Sequence, residues 1–218
     1  MGVAVLNNQT PKCPQLVRRK TSFEKYNEEY MIQQFDFQEL DLKGAYLIKP
    51  FYASDERGGL IKDYNIYTFK ANGLNYELKE TFYTLNKKGV IRAIHFQLEK
   101  PQPKLMRCIS GRVWYVIIDL RPKSETFGQY RSMVLDGDDP LCILCPNGFG
   151  QGYLVLEDSI MSYKASEGFY GPGDAGIMYN DPEIGIEWPF ELIGGEDKLI
   201  ISEKDKKLMN LSDYLALV

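Results

Sequence analysis

A single histidine limits the chemistry that this 218-residue chain can perform. That residue is His95, and two cations bracket it in sequence, Arg92 before it and Lys104 after it, as an anionic ligand would require. An imidazole can act as a general base near neutral pH because its unperturbed pKa is about 6.5. A lone histidine in a strand is more often a packed or surface residue, so the residues alone leave both interpretations open. Metal centres built on imidazole use two or three histidines, which excludes such a centre for one chain.

Two cysteines form a second motif with chemical potential, Cys142-Ile-Leu-Cys145. This spacing can supply half of a zinc site or a redox pair. The other cysteines are not paired in sequence, and Pro146-Asn-Gly148 indicates a turn where a redox motif would open a helix. We therefore interpret both cysteines as structural, buried thiols.

Gly148-Phe-Gly-Gln-Gly152 has the glycine content of a nucleotide-binding loop. A dinucleotide-binding loop leads from a strand into a helix, whereas Tyr153-Leu-Val-Leu156, which follows here, has the composition of a strand. We expect a tight turn between two strands. The sequence also has no P-loop, no GxSxG elbow and no HExxH motif.

Composition and charge are those of an ordinary globular protein. Lys and Arg total 26 against 30 Asp and Glu, and the net charge of −4 gives no general attraction to nucleic acid or anionic lipid. No apolar stretch approaches the roughly 20 residues that cross a bilayer, and the initial apolar run is too short for a signal peptide. We expect a cytoplasmic protein with reduced thiols, and neither nucleic acid nor a membrane as a partner.

From about Phe35 onward, short runs of Val, Ile, Tyr, Phe and Leu alternate with turn signals. Several short strands at this spacing predict an all-β sandwich or barrel. The runs cover residues 45–48, 60–69, 90–97, 104–109 and 113–120.

The run that contains His95 alternates imperfectly between apolar and polar residues. Residues i and i+2 of a strand share a face. His95, Gln97 and Ala93 should then lie on one face, with Arg92 on the other, unless a local bulge intervenes.

The two ends of the chain have a different character. Residues 1–40 are predicted to form an N-terminal arm with a short helix from Phe23 to about Gln34. Residues 41–218 are predicted to form the main domain. Its tail, from Glu203 to Leu217, has a helical pattern that Ser202 could cap.

The segment around His95 resembles a known signature. Gly89-Val-Ile-Arg-Ala-Ile-His-Phe-Gln97 resembles the GVLRGLHFQ motif of the dTDP-4-dehydrorhamnose 3,5-epimerase family. The similarity extends in the family's order over most of residues 44–207, which argues against a chance match. Further matching motifs are Lys104-Leu-Met-Arg107, Asp119-Leu-Arg121, Ser124-Glu-Thr-Phe-Gly128, Pro146-Asn-Gly-Phe149, Gly152-Tyr-Leu-Val-Leu156, Tyr163-Lys164, Asn180-Asp181, Ile184-Gly-Ile-Glu-Trp-Pro189 and Ile201-Ser-Glu-Lys-Asp205.

The resemblance implies a cupin-like β jelly roll of two antiparallel sheets, with short peripheral helices at the termini, that forms a homodimer. It implies epimerisation at C3, C5 or both of a nucleotide-linked 4-keto-6-deoxyhexose, similar to dTDP-4-keto-6-deoxyglucose, in deoxysugar biosynthesis. The family works without a metal or cofactor, which agrees with the single histidine. Two alternatives stay open: a non-catalytic nucleotide-sugar-binding protein on the same fold, and a sugar-nucleotide ketoisomerase.

The resemblance also implies roles for individual residues. His95 matches the general base, and Asp205 matches the carboxylate that orients it. Lys104 matches the cation near the 4-keto oxygen, and Tyr163 matches the acid on the opposite face of the sugar ring. The residues matched to substrate binding are Arg57, Arg92, Gln97, Tyr170 and Asp174.

The chain departs from the family pattern around the substrate. Gln151 stands where the family usually has a second histidine, and Tyr115 stands where it usually has aspartate. Glu80 and Phe82 occupy positions usually held by Gln and Asn. The catalytic set is retained while its surroundings change, so the reaction type is better supported than the nucleotide base or the sugar.

Overall fold

The computed structural model describes residues 33–218, and this part of the chain forms thirteen strands. The strands are β1 (Asp36–Glu39), β2 (Tyr46–Lys49), β3 (Phe51–Asp55), β4 (Gly58–Lys62), β5 (Glu80–Asn86), β6 (Ile91–Gln97), β7 (Lys104–Ser110), β8 (Arg112–Asp119), β9 (Tyr130–Asp136), β10 (Cys142–Cys145), β11 (Phe149–Val155), β12 (Ser159–Ala165) and β13 (Asp174–Gly176). Two short helices accompany them, α1 (Ile66–Ala71) and α2 (Leu211–Leu215).

Eleven of these strands form two antiparallel sheets. The six-stranded sheet has the order β1-β2-β10-β7-β12-β5, and the five-stranded sheet has the order β13-β6-β11-β8-β9. β3 and β4 form a separate hairpin. Alternate residues of both sheets point into a shared interior, as the period-two pattern of a strand requires. The side chains buried there include Met106, Tyr115, Ile117, Ile143, Tyr153 and Met161. The predicted all-β fold of two antiparallel sheets is confirmed.

The outer face of the five-stranded sheet is also covered, by the C-terminal part of the chain. Ile94 and Ile118 of that sheet belong to one apolar cluster with Trp188 and Tyr214. The Tyr214 hydroxyl donates to the carbonyl oxygen of Leu120 at 2.7 Å, which ties α2 to the end of β8. Since this sheet is buried on both faces, β8 has a continuous apolar run rather than an alternating one.

The predicted strand over residues 60–69 is only partly a strand. β4 takes its first part, and α1 begins after Asn65, whose side chain accepts hydrogen bonds from the backbone N–H groups of Tyr67 and Thr68. Phe69 is buried in an apolar cluster beside the six-stranded sheet. An asparagine cap followed by one buried face favours a helix, and this outweighs the β-prone composition of the segment.

The C-terminal helix is shorter and begins later than predicted from Glu203–Leu217. Residues Asp205–Lys207 form a 3-10 turn, and Met209 then bonds to the backbone of β13. That contact requires extended backbone, so the helix restarts only at α2, where Asn210 N donates to Asp213 Oδ2 at 3.2 Å. No helix within residues 33–218 is long and apolar enough to cross a membrane.

Most of the predicted N-terminal arm lies outside the described residues. This includes the helix predicted from Phe23 to about Gln34, except for its last two positions. Within the described part, β1 pairs with β2 in the six-stranded sheet. The domain boundary at residue 40 stays a prediction.

The two cysteines of the CxxC motif are buried, free thiols in β10. Burial raises the pKa of Cys142 and of Cys145 to about 12. Both groups are therefore protonated and unreactive near neutral pH, in agreement with their interpretation as structural residues.

The glycine-rich segment Gly148–Gly152 is a turn only at its first residue. Gly148 has a φ of +79°, which favours glycine, and the chain then enters β11. A Cβ at Gly150 would lie 2.6 Å from Ile94 Cγ2, so this glycine allows close packing rather than a turn. The expectation of a turn through residue 152 is wrong, because these glycines serve the approach of β6 to β11.

Candidate active site

A cavity of about 410 Å³ lies between the two sheets. Three of the side chains matched to catalysis, those of His95, Lys104 and Tyr163, line it. Arg92 and Asp174, matched to substrate binding, line it as well. The other lining side chains are those of Glu80, Phe82, Thr84, Gln102, Gln151, Tyr153 and Phe169. Both sheets contribute, so a ligand in this cavity would be contacted from two opposite sides.

A bulge in β6 brings Arg92 and His95 to the same cavity. His95 lies opposite Gln151 of β11, but Arg92 lies opposite Tyr153, so β6 carries one extra residue between these two pairs. Gly152 stands opposite the extra residue, and a Cβ there would meet the Cβ of Ala93 at 2.5 Å. The expectation that Arg92 points to the other face is wrong, because a bulge shifts the alternation by one residue.

His95 is paired with a buried carboxylate. Its Nε2 lies 3.2 Å from Oδ2 of Asp205, and the backbone N–H of Asp205 donates to Ser202 Oγ at 3.0 Å. Burial raises the pKa of Asp205, but the hydrogen bonds from His95 and Ser202 and the charge of His95 outweigh it, so the pKa is lowered. The carboxylate is thus ionised near neutral pH. An imidazole whose one nitrogen is bound to a carboxylate keeps the other as a proton acceptor.

Lys104 opens β7 and presents a cation to the cavity. Burial lowers the pKa of its ammonium, while Cys145, Asp174 and Glu80 act in the opposite direction. Among the described residues its Nζ has no hydrogen-bond partner. An ammonium in this state can stabilise negative charge that develops on a bound ligand.

Tyr163 lies on β12, in the sheet opposite His95. Its ring stacks on that of Phe82 with centroids 4.5 Å apart, and its hydroxyl donates to the hydroxyl of Tyr153 at 2.8 Å. Burial, the neighbouring Tyr153 and its hydrogen bond hold the pKa of Tyr163 well above the ordinary value. The phenol therefore keeps its proton at neutral pH and can act as an acid.

Tyr153 is a member of the site that the sequence analysis missed. It is 1% exposed, and its hydroxyl lies 3.0 Å from Thr84 Oγ1. The sequence does carry a signal for it, because Tyr153 is the first residue of a predicted strand run and lies two residues beyond Gln151, on the same face of β11.

One hydrogen bond holds the Arg92 guanidinium and leaves its other nitrogens open to an anion. Its Nε donates to Asn86 Oδ1 at 2.9 Å, which leaves the two terminal nitrogens of the guanidinium for a ligand. Asp174, in contrast, is ion-paired with Lys204.

Gln97 and Tyr170 do not line this cavity. The Gln97 amide accepts a hydrogen bond from Tyr170 N at 2.9 Å and donates to Lys100 O at 2.7 Å, so it joins two loops. The Tyr170 ring lies under Lys100 Nζ, 4.3 Å from the ring centroid. Their predicted part in substrate binding stays a prediction.

Arg57 also lies outside the cavity. It sits in the turn of the β3–β4 hairpin, its side chain is 85% exposed, and it pairs with Asp55. No three His, Cys, Asp or Glu side chains within residues 33–218 are grouped so that they could hold a metal ion.

Comparisons with known proteins give the family. The family model for dTDP-4-dehydrorhamnose 3,5-epimerase matches residues 39–213. An enzyme of that name from Methanothermobacter thermautotrophicus is 40% identical over 174 residues, which are 79% of this chain and 92% of that protein. The crystal structure of the Elizabethkingia anophelis NUHP1 dTDP-4-dehydrorhamnose 3,5-epimerase is 33% identical, with a TM-score of 0.77 over 83% of this chain and 98% of its own.

A further solved structure contains a ligand. The dTDP-6-deoxy-D-glucose-3,5-epimerase from Legionella pneumophila Philadelphia 1, in complex with dTDP-4-keto-L-rhamnose, has a TM-score of 0.77 and 26% identity. The match covers 82% of this chain and 94% of that one. The predicted cupin-like fold and the resemblance of the motifs are confirmed, and the chain belongs to the dTDP-4-dehydrorhamnose 3,5-epimerase family.

Proposed function

We propose that the protein epimerises C3, C5 or both of a nucleotide-linked 4-keto-6-deoxyhexose, using its own side chains as base and acid. One observation carries the proposal: His95, paired with Asp205, and Tyr163 face one cavity from opposite sheets. Inversion of a carbon centre requires proton removal on one face and proton delivery on the other. A base and an acid on opposite walls fit that requirement.

The reaction begins with a proton next to the ketone. His95 takes this proton, and the electron pair of the C–H bond moves toward the carbonyl oxygen to give an enolate. Lys104 stabilises the developing oxyanion electrostatically. Tyr163 then donates its proton to the carbon from the opposite face. Transfer of a proton from the imidazolium to the phenolate through water restores both groups.

Arg92 is proposed to hold the diphosphate of the substrate. Its terminal nitrogens form a planar fork that can bind two phosphate oxygens. The relative from Legionella pneumophila was crystallised with dTDP-4-keto-L-rhamnose, which supports a dTDP-linked sugar as the first substrate to try.

The proposal is tested by following deuterium from heavy water into dTDP-4-keto-6-deoxyglucose by NMR. We expect deuterium at C3, C5 or both, together with inverted product, and no exchange by His95→Ala. Tight binding without exchange would support a non-catalytic sugar-nucleotide-binding protein instead. A product in which the carbonyl has moved would support a ketoisomerase.

We also propose that the protein acts as a homodimer in the cytoplasm. The dimer is supported by the exposed position of Arg57 beside Asp55 in the hairpin turn, because a turn at the surface can reach the site of a second chain. The cytoplasm is supported by the buried free thiols of Cys108, Cys142 and Cys145. Mixing inactive His95→Ala with inactive Arg57→Ala tests the exchange of Arg57 between chains. Partial recovery of activity is expected, and no recovery after subunit exchange would contradict it.

A further inference from the structure

The acid Tyr163 is one end of a hydrogen-bonded chain that reaches Arg92. Tyr163 Oη donates to Tyr153 Oη at 2.8 Å, and Tyr153 Oη lies 3.0 Å from Thr84 Oγ1. Asn86 Nδ2 donates to Thr84 Oγ1 at 3.1 Å, and Asn86 Oδ1 accepts from Arg92 Nε at 2.9 Å. Four of these five side chains line the cavity, and Asn86 supports them from the end of β5.

Tyr153 is the central member of this chain. Its hydroxyl accepts from Tyr163 and has two further partners, since it also lies 3.4 Å from Asn86 Oδ1. Asn86 is 5% exposed and Tyr153 is 1% exposed, so neither group can replace a lost partner with bulk water. A buried hydroxyl in such a network is held in one orientation, because an unmade hydrogen bond there is costly.

In this arrangement the Tyr163 proton is committed to Tyr153 and not to the cavity. When Tyr163 gives a proton to the substrate, its oxygen becomes a phenolate that can only accept hydrogen bonds. The Tyr153 hydroxyl can then rotate and donate to that oxygen at the same separation. A charged acceptor strengthens the bond, so the reversed hydrogen bond offsets part of the cost of a phenolate in this buried site.

We propose that Tyr153 is a positioning residue for the epimerisation: it fixes the Tyr163 hydroxyl at the cavity wall and stabilises the phenolate by reversing their hydrogen bond. The inference rests on the proposed function, because it assigns the partner of the acid in that reaction. Tyr153 does not exchange a proton with the substrate. The proton delivered to carbon comes from Tyr163, and it is replaced through water from the imidazolium of His95.

The proposed role of Tyr153 concerns one of two half-reactions, and the rates of the two can be measured separately. Proton removal by His95 and its return on the same face give deuterated but uninverted substrate in heavy water. Delivery from Tyr163 gives inverted product. Loss of the Tyr153 hydroxyl should slow only the second half-reaction, so the ratio of uninverted, deuterated substrate to inverted product should rise.

The test compares Tyr153→Phe with the unaltered protein and with Tyr214→Phe. Tyr214 is a buried tyrosine on the outer face of the five-stranded sheet whose hydroxyl donates to Leu120 O at 2.7 Å, so its variant removes a buried phenol oxygen outside the chain to Arg92. For Tyr153→Phe we expect inversion to fall about 10- to 100-fold with KM nearly unchanged, because one hydrogen bond to a charged group is lost. The exchange-to-inversion ratio should rise by the same factor, and it should not change in Tyr214→Phe.

Thr84→Val provides a second variant in case Tyr153→Phe does not fold. It removes a partner of the Tyr153 hydroxyl and should raise the same ratio by a smaller factor. An unchanged ratio in folded Tyr153→Phe, or equal slowing of exchange and inversion, would overturn the inference. Absence of any exchange in the unaltered protein would instead overturn the proposed function, so the two failures are distinguishable.

Discussion

Replacement of Lys104 by methionine should lower activity and raise stability at the same time. The ammonium lies at the wall of the cavity, has no hydrogen-bond partner among the described residues, and has a pKa that burial lowers. A lowered folded-state pKa means that folding disfavours the charged form, so the charge at Lys104 costs stability near neutral pH. Methionine has a similar length and no charge, and it removes this cost.

The expected changes in kcat and in stability follow from what the Lys104 ammonium does in the reaction and in the folded protein. In the reaction it is the cation proposed to face the enolate oxygen, and loss of one such group from a buried site costs about 10²- to 10³-fold in kcat. In the folded protein it makes no hydrogen bond among the described residues, and its burial outweighs the favourable charges of Asp174 and Glu80, so the free energy of unfolding should rise by about 0.5–2 kcal/mol. The result would be a stable protein that exchanges deuterium very slowly.

Two measurements on purified protein check this prediction. Deuterium exchange into dTDP-4-keto-6-deoxyglucose gives the rate, and urea unfolding gives the free energy. Lys198→Met is the matched control, because that side chain is 62% exposed and pairs only with its neighbour Asp197 among the described residues. A fall in kcat of less than threefold would refute the proposed role. A clear loss of stability would refute the view that the ammonium lacks a compensating partner.

The lowered pKa of Lys104 also gives the sign of a pH effect. The ammonium loses its proton at a lower pH than an ordinary lysine, for which the pKa is 10.5. Activity should therefore decline on the alkaline side before pH 10.5, and the residual activity of Lys104→Met should lack that decline.

Three further substitutions test other parts of the site and its support. Asp205→Asn should lower kcat by about 10²- to 10⁴-fold, because the His95 imidazole loses the carboxylate that holds its tautomer, and deuterium exchange measures the loss. Asp119 is fully buried and accepts from the guanidinium of Arg121 and from two hydroxyls, so Asp119→Asn should destabilise the fold by roughly 1–3 kcal/mol in urea unfolding. Because those bonds outweigh burial and lower the pKa of Asp119, its stabilising effect should be present above about pH 4 and fade as the pH falls. Gly152→Ala should lower both Tm and kcat, since its Cβ would lie 2.5 Å from that of Ala93 at the bulge.

Each of these variants has a matched control in the same chain. Asp197→Asn removes an exposed carboxylate, and it should change neither kcat nor the free energy of unfolding. Gly168→Ala adds a Cβ with no neighbour within 4 Å, so its Tm should stay unchanged. If Gly152→Ala behaved like Gly168→Ala, the close approach of β6 to β11 would not depend on that glycine.

The sequence predicts the fold where the pattern is local. The alternation of apolar and polar residues between turn residues indicates antiparallel strands. The motif of residues 89–97 places His95 in one of these strands. The failures occur where a contact distant in sequence decides the backbone. Met209 bonds to the backbone of β13 and divides the predicted C-terminal helix, and no pattern within residues 203–217 contains that information.

The same reason explains which parts of the site could be predicted. The match to a family motif identifies His95, Lys104 and Tyr163, but the side of β6 on which Arg92 lies depends on a bulge. That bulge is set by the pairing of β6 with β11 at Gly152, which lies about 60 residues after Arg92 in the chain. Tyr153 could not be singled out from the sequence, because a tyrosine in a strand is an ordinary core residue and the i, i+2 relation to Gln151 does not show its hydrogen bond to Tyr163.

The two walls of the cavity carry different titratable groups. The wall formed by the five-stranded sheet has the His95 imidazole, whose Nε2 is paired with the carboxylate of Asp205, a group whose pKa is lowered by that hydrogen bond. The opposite sheet provides the phenol of Tyr163, and burial raises the pKa of this group and of its partner Tyr153, so both remain donors. Gln151, which lies opposite His95, cannot titrate. In the proposed forward reaction, removal of a proton from the substrate therefore begins on the His95 side and delivery comes from the Tyr163 side, and the reverse reaction uses the same two groups with their roles exchanged.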